Sequence, residues 1–184
     1  MNLSKTLLLA CAFAMTAESA KCGSLDPIKP VAHVDLPRFM GNWYVIATIP
    51  TMFERSACNA VETYTLQPDG RVATSFRFRN GSDGPVRVIR STGFVKDDTG
   101  NAVWGVQPFW PIKMQYIVAY LKEDYSQTIV ARDDRDYTWI MARTPTISQG
   151  DYEALVARVI TLGYPSSKIR KVPQVWPGAN PAGR

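Results

Sequence analysis

A single histidine, His33, stands in a chain of 184 residues, and it falls in a proline-rich stretch rather than among strand-like segments. General acid–base catalysis and zinc ligation lean on imidazole, so their commonest forms are excluded. Cysteine is scarce: Cys11, Cys22 and Cys58 are the only three, and no Cys-x-x-Cys occurs. That removes a metal ribbon or a dithiol redox centre. No Gly-x-Ser-x-Gly elbow and no phosphate-cradling glycine loop is present either. After about residue 20 no apolar run is long enough to form a membrane-spanning helix. The net charge of +5 comes from scattered Lys and Arg, without a dense basic run. A nucleic-acid protein clusters them on one face, so nucleic acid is not an expected partner; peripheral contact with anionic membrane lipid is compatible with the charge.

What is present begins with a targeting segment. Lys5 supplies a positive start, Thr6 to Met15 a short apolar core, and Ala17, Ser19 and Ala20 the small residues a signal peptidase accepts. Residues 1–20 therefore read as a signal peptide, which implies an exported chain of the periplasm or outer membrane. Leu8-Leu9-Ala10-Cys11 also looks like a bacterial lipoprotein box, but the apolar run before Cys11 is short, and lipidation there is the less favoured reading. Cleavage near residue 20 leaves Cys22 and Cys58. In an exported protein an even pair suggests a disulfide, with two unpaired thiols as the alternative.

Residues 21–34 form a proline-rich leader. Asp35 to Met40 can make one helical turn before Gly41, a residue suited to a tight reversal or close backbone approach. Eight strands then follow: Trp43–Ile49, Ala60–Leu66, Arg71–Arg79, Val86–Lys96, Ala102–Gln107, Met114–Lys122, Gln127–Arg132 and Asp136–Arg143. They are aromatic and β-branched, and joined mostly by short turns such as Gln67-Pro68-Asp69-Gly70. The expectation is an all-β domain, an eight-stranded antiparallel up-and-down β-barrel, because closure removes sheet edges. The period then changes. Ser148 as N-cap, Asp151 in the capping box and an Ile147–Tyr152 staple open a helix. Its apolar face is Tyr152, Leu155, Val156, Val159 and Leu162, and it must pack outside the barrel. Ile169–Val172 can add a last short strand, and the Pro/Gly-punctuated chain from Pro173 reads as mobile, residues 176–184 as a flexible tail.

Gly41-Asn42-Trp43-Tyr44, Phe53-Glu54-Arg55, and the run from Asp133 to Ser148, in this order and spacing, resemble the lipocalins. The resemblance is to the bacterial outer-membrane and apolipoprotein D-like branch, over residues 35–175. Trp43 and Arg143 alone fit either a cation–π stack or a core Trp with a solvated Arg. The resemblance implies that Trp43 closes the blind end of the barrel and that Arg143 packs across it, both in structural roles.

Strand parity then sets the lumen. Trp43 inward brings Val45 and Ala47 with it; Arg143 inward brings Met141, Trp139 and Tyr137. The resemblance adds Tyr64, Phe76, Phe78, Trp104, Tyr116, Val118 and Tyr120, and Glu62 shares the parity of Tyr64. These are the expected ligand-binding residues: an aromatic, apolar cup with phenol hydroxyls, suited to an acyl chain. Glu62, expected near the mouth, is either simply solvated or a rim carboxylate with a raised pKa or a ligand head group to meet. The alternative for the whole set is a solid core, since side chains can fill eight strands.

The expected function is binding of fatty acids or lysophospholipids for envelope lipid transport, storage or repair, by a monomer or homodimer with no cofactor or metal. The alternative is an enzyme performing isomerisation or epoxide chemistry on a lipid or isoprenoid in the lumen, as some relatives do. Apolipoprotein D-like members carry a disulfide cysteine near the position of Cys58, bonded to one close to the C-terminus; this chain has no cysteine after Cys58. The leader is long enough for Cys22 to reach most of the barrel, which makes a Cys22–Cys58 bridge the expectation.

Overall fold

The computed structural model describes residues 25–52, 54–81 and 83–176. The expected signal peptide, residues 1–20 with Cys11, and also Cys22 lie outside them. A four-residue helix, α1 (Leu36–Phe39), leads into β1 (Gly41–Ile49), β2 (Ala57–Leu66), β3 (Val72–Asn80) and β4 (Val86–Val95). β5 (Val103–Phe109), β6 (Ile112–Leu121), β7 (Gln127–Ala131) and β8 (Thr138–Ala142) continue the meander. Then come α2 (Gln149–Thr161) and β9 (Arg170–Lys171). Each strand pairs antiparallel with the next, and β1 pairs with both β2 and β8, which closes an eight-stranded barrel. β9 is an added strand on β1, through Ala47↔Lys171 and Thr48↔Arg170.

Two apolar cores result, one on each side of the barrel wall. Inside, at the closed end, are Phe39, Trp43, Val45, Tyr64, Trp104, Tyr116, Val118 and Met141. Outside, Ile46, Ala47, Ile49, Ile117, Ile129, Ile140 and Ala142 meet Leu155 and Val159 of α2. Helix α2 starts as the sequence implies: the Ser148 hydroxyl accepts from the Asp151 N–H at 3.0 Å, and Ile147 and Tyr152 both join the outer core. It ends at Gly163, whose φ of +93° puts it in the left-handed region.

Expected orientations fail at two bulges. The β1–β8 register shifts between Val45 and Ala47, so Ala47 turns outward beneath α2 instead of into the lumen. A shift between Val118 and Tyr120 on β6 likewise sends Tyr120 outward, where the Arg158 guanidinium covers its ring at 4.4 Å. Parity counted along a strand is correct only until an extra residue resets it.

Both ends of the described chain are tied to the barrel. The leader contributes buried side chains, Ile28 and Val34, and binds the barrel by Val31 N–H to Val118 C=O (2.9 Å) and Val34 N–H to Gly100 C=O (2.8 Å). A Cβ on Gly100 would collide with the Ala32 carbonyl, so that crossing depends on glycine. Residues 173–176, expected to be mobile, are held. The Gln174 amide donates to the carbonyls of Val45 (2.8 Å) and Ala60 (3.1 Å), the Asn59 N–H donates to Pro173 C=O, and the Asn59 side chain exchanges hydrogen bonds with the Val175 backbone. Bulged backbone in β1 and β2 leaves ladder groups unpaired, and this segment satisfies them.

Candidate functional site

The closed end is sealed first. Asp35 caps α1 by accepting from the Arg38 N–H, and α1 delivers Phe39 onto Trp43 with ring centroids 5.0 Å apart. The Trp43 indole N–H donates to Phe39 C=O at 2.9 Å. Arg143 lies 3.8 Å above the Trp43 ring and donates to the carbonyls of Arg38 (2.7 Å), Asn42 (2.9 Å) and Tyr125 (3.3 Å). Gly41 carries a φ of +91°, and a Cβ there would meet Arg143 Nη1 at 3.5 Å.

Above this plug lies a floor of aromatic rings. Trp104 stacks on Tyr116 at 4.8 Å, Tyr64 stands edge-on to both, and the Tyr116 hydroxyl donates to the Tyr64 hydroxyl at 2.9 Å. Burial drives both phenol pKa values well up, so both hydroxyls stay protonated.

Over the floor the barrel opens into a cavity of about 1200 Å³. This rules out the solid-core reading. Glu62, Tyr64, Phe76, Phe78, Tyr116, Tyr137, Trp139 and Met141 line it, eight of the thirteen residues expected to. Val45, Trp104 and Val118 belong to the inner core but do not line the cavity; they are the packing of the closed end. Ala47 and Tyr120 are outside, as described. Residues that sequence reasoning missed complete the wall: Thr74, Ile89, Ser91, Val106 and Met114 in the strands, Glu54 from the β1–β2 loop, and Arg55, Arg87, Lys113 and Arg132 towards the mouth. Ile89 and Ser91 carried a usable signal, because their register partners Phe76 and Thr74 are on β3 and face inward.

Glu62 was expected near the mouth, either solvated or with a raised pKa. Instead it sits within the cavity, level with Trp43 on β1 and Phe76 on β3. Burial first, and the nearby Glu54 charge second, push its carboxyl pKa up to about 8. Glu54 is also raised by burial, offset in part by hydrogen bonds from Thr51 and from the Trp139 indole N–H at 3.3 Å. Glu62 has no such partner among the described residues. Cys58, half-buried on β2, points its thiol at Ser56 C=O at 3.9 Å and forms no disulfide among the described residues. Its expected partner, Cys22, lies outside them.

The mouth is asymmetric. On the β7–β8 side, Arg132 pairs with Asp134 and Asp136, and Arg135 with Asp133. On the β5–β6 side, Phe109 (63% exposed), Trp110 (85%) and Ile112 (47%) stand in solvent, with Met52 across the opening. No acidic residue occurs between positions 84 and 96 or between 102 and 122, whereas Arg87, Arg90 and Lys113 do.

A sealed up-and-down barrel with an apolar interior, open at one end and braced by a helix outside, defines a container for small hydrophobic molecules. The chain belongs to the lipocalin family: a lipocalin-like domain model matches residues 34–174. It is 32% identical over 151 residues to temperature-induced lipocalin-1 of Arabidopsis thaliana, covering 78% of this chain and 81% of that one. It is also 32% identical over 156 residues to the outer membrane lipoprotein Blc of Escherichia coli K12, covering 83% and 88%. Insecticyanin from the tobacco hornworm superposes with a TM-score of 0.61 at 18% identity, over 85% of this chain and 88% of that one.

Proposed function

We propose that this lipocalin binds single-chain lipids, fatty acids or lysophospholipids, in its lumen and serves lipid transport, storage or repair in the cell envelope. The observation that carries this reading is the cavity itself: large, mostly apolar and rich in aromatic rings, with cations only towards its mouth. An acyl chain gains roughly 0.8 kcal/mol for each methylene it buries there, while a carboxylate or phosphate can stay beside Arg55, Arg87 or Lys113. Binding requires no covalent step, which favours a carrier over isomerisation or epoxide chemistry. The signal-like segment and the similarity to an outer membrane lipoprotein support export to the envelope.

The exposed Phe109–Trp110–Ile112 tip supports transient contact with membrane lipid at the mouth, with Arg90 and Lys113 beside it to meet anionic headgroups. The test is titration of delipidated protein with long-chain fatty acids and lysophospholipids, read by tryptophan fluorescence, alongside sedimentation with phosphatidylglycerol-containing vesicles. Saturable quenching and sedimentation weakened by Trp110→Ser are expected. Flat titrations across amphiphile classes overturn the carrier reading, and lipid turnover replaces it with an enzyme.

A further inference from the structure

The interior of the cavity is not uniformly apolar. The Glu62 carboxyl faces it with no cation and no hydrogen-bond donor as partner among the described residues, in contrast to Glu54, which receives the Trp139 indole N–H. Beside it, the Tyr64 hydroxyl accepts from Tyr116 and has no other hydrogen-bond partner among the described residues. At the Tyr64 level, the hydroxyls of Thr74 and Ser91 bond one another and also line the cavity. A ligand that displaces water from these groups loses affinity unless it pairs with them, and a pure hydrocarbon chain pairs with none. The charges and titrating groups around Glu62 are Glu54, Tyr64 and Tyr116; the cations of the lining stand nearer the mouth. A carboxyl raised to about 8 is uncharged at neutral pH and both donates and accepts, which suits a neutral oxygen better than an anion.

Register places this group relative to the mouth. Glu62 pairs with Phe76, Phe76 with Ile89, and Arg87 lies two residues further towards the opening on β4. Two residues along and two strands across amount to roughly 12 Å of barrel wall. A lipid whose anionic head rests at Arg87 therefore passes Glu62 near the middle of a long chain.

We propose that the deep half of the cavity is a recognition site for an oxygen function, a hydroxyl or carbonyl, carried on the lipid's acyl chain, with the Glu62 carboxyl and the Tyr64 hydroxyl as its hydrogen-bonding partners. The inference rests on the reading that the lumen takes single-chain lipids, and it names which of them the lumen prefers.

The experiment compares octadecanoic acid with 12-hydroxyoctadecanoic acid, which differ by one hydroxyl, for the delipidated full chain at neutral pH. Affinities are measured by displacement of a fluorescent fatty acid. The hydroxylated acid should bind roughly tenfold more tightly, the ratio expected when a buried polar group gains its partner. Glu62→Leu should abolish the preference. Glu62→Gln, which keeps an uncharged donor and acceptor in the same place, should retain it. Thermal melts of both variants confirm that they are folded, and the Gln variant keeps the test decisive if Leu unfolds. Equal binding of the two acids, or tighter binding of the plain one, by the wild type overturns this inference and leaves the carrier reading intact. Octadecylamine outcompeting both acids, with no advantage for the hydroxyl, overturns it in favour of a cation site. Binding of neither acid overturns both readings.

Discussion

Arg143 and Trp43, a hundred residues apart in sequence, are stacked 3.8 Å from guanidinium to ring centroid, and the same guanidinium holds the carbonyls of Arg38, Asn42 and Tyr125. One side chain thus ties α1, β1 and the β6–β7 turn across the closed end. Trp43 is fully buried, so Trp43→Ala should cost about 3–5 kcal/mol and leave the cation without its aromatic face. Arg143→Met keeps much of the stem but strands three carbonyls; charge-assisted bonds of this kind contribute about 1.5–3 kcal/mol. Chemical denaturation should show both losses. Lipid affinity measured well below the melting temperature should change little, because neither residue lines the cavity.

The Glu62 carboxyl predicts a pH dependence with a definite sign. Its folded pKa, about 8, lies above its ordinary value, so the folded chain holds a proton that the unfolded chain releases. Stability is therefore greatest below the unfolded pKa and falls as pH rises from roughly 4.5 to 8, by at most about 1.4 kcal/mol per pH unit. Glu54, raised by burial too, acts in the same direction. Denaturation at pH 5.5 and 8 should show the wild type losing stability between them and Glu62→Gln losing clearly less. An identical slope in the two proteins would mean that Glu62 ionises freely.

The barrel was legible because its signals are local and repeated: alternating strands, turn dipeptides, one capping box. Ser148, Asp151 and Ile147 act as their spacing implies. From parity, lumen-facing residues were legible where it ran unbroken, as from Tyr137 through Trp139 to Met141; Tyr64, Phe76, Phe78 and Tyr116 came with the lipocalin resemblance. Ala47 and Tyr120 were misread because a bulge costs one residue and has no marker in its sequence, here Ile46 and Ala119. The division between floor and cavity was not legible either. Trp104 and Tyr116 are paired on adjacent strands, yet only the second borders open space. Depth within a barrel depends on how far rings from several strands meet across it, which no single strand encodes.

Among tryptophans, the position of Trp139 makes it the optical reporter of the cavity. Trp43 and Trp104 lie in the closed end, Trp176 packs edge-on against Tyr44 outside, and Trp110 stands at the mouth. Trp139→Phe should remove most of the fluorescence change caused by a fatty acid, while displacement assays show binding within a few-fold of wild type. Trp104→Phe should leave the change in place. If Trp104→Phe abolished it instead, the ligand would be reaching below the Tyr64–Tyr116 floor.

Helix α2 should matter to stability but not to ligand. Leu155 and Val159 are buried against Ile46, Ile140 and Ala142 on the outer wall, and Leu155→Ala should cost about 2–5 kcal/mol. Ser148→Ala removes the cap on the Asp151 N–H and should cost about 1 kcal/mol. Both are read by thermal melts with fatty acid affinity measured in parallel; an affinity that falls along with stability would couple the outer core to the lumen.

Cys58 lies beside a bulge of β2, half-buried, at the edge of the strip where residues 173–176 cross the barrel. The leader is bound to the barrel from Asp26 onward: its carbonyl accepts from the Arg135 guanidinium, the Ile28 N–H donates to the Asp133 carboxylate at 2.7 Å, and Val31 bonds Val118. A bridge from Cys22 to Cys58 would extend that attachment towards the N-terminus and close a loop of about 37 residues, stabilising by roughly 3–4 kcal/mol in the chain-entropy account. Protein purified from an oxidising compartment, denatured without reductant and treated with a thiol reagent, should then show neither Cys22 nor Cys58 labelled, and both labelled after reduction. Cys58→Ser should expose Cys22 and lower the melting temperature by several degrees. Both thiols reacting before reduction would leave the leader held by its hydrogen bonds and by Ile28 and Val34 alone.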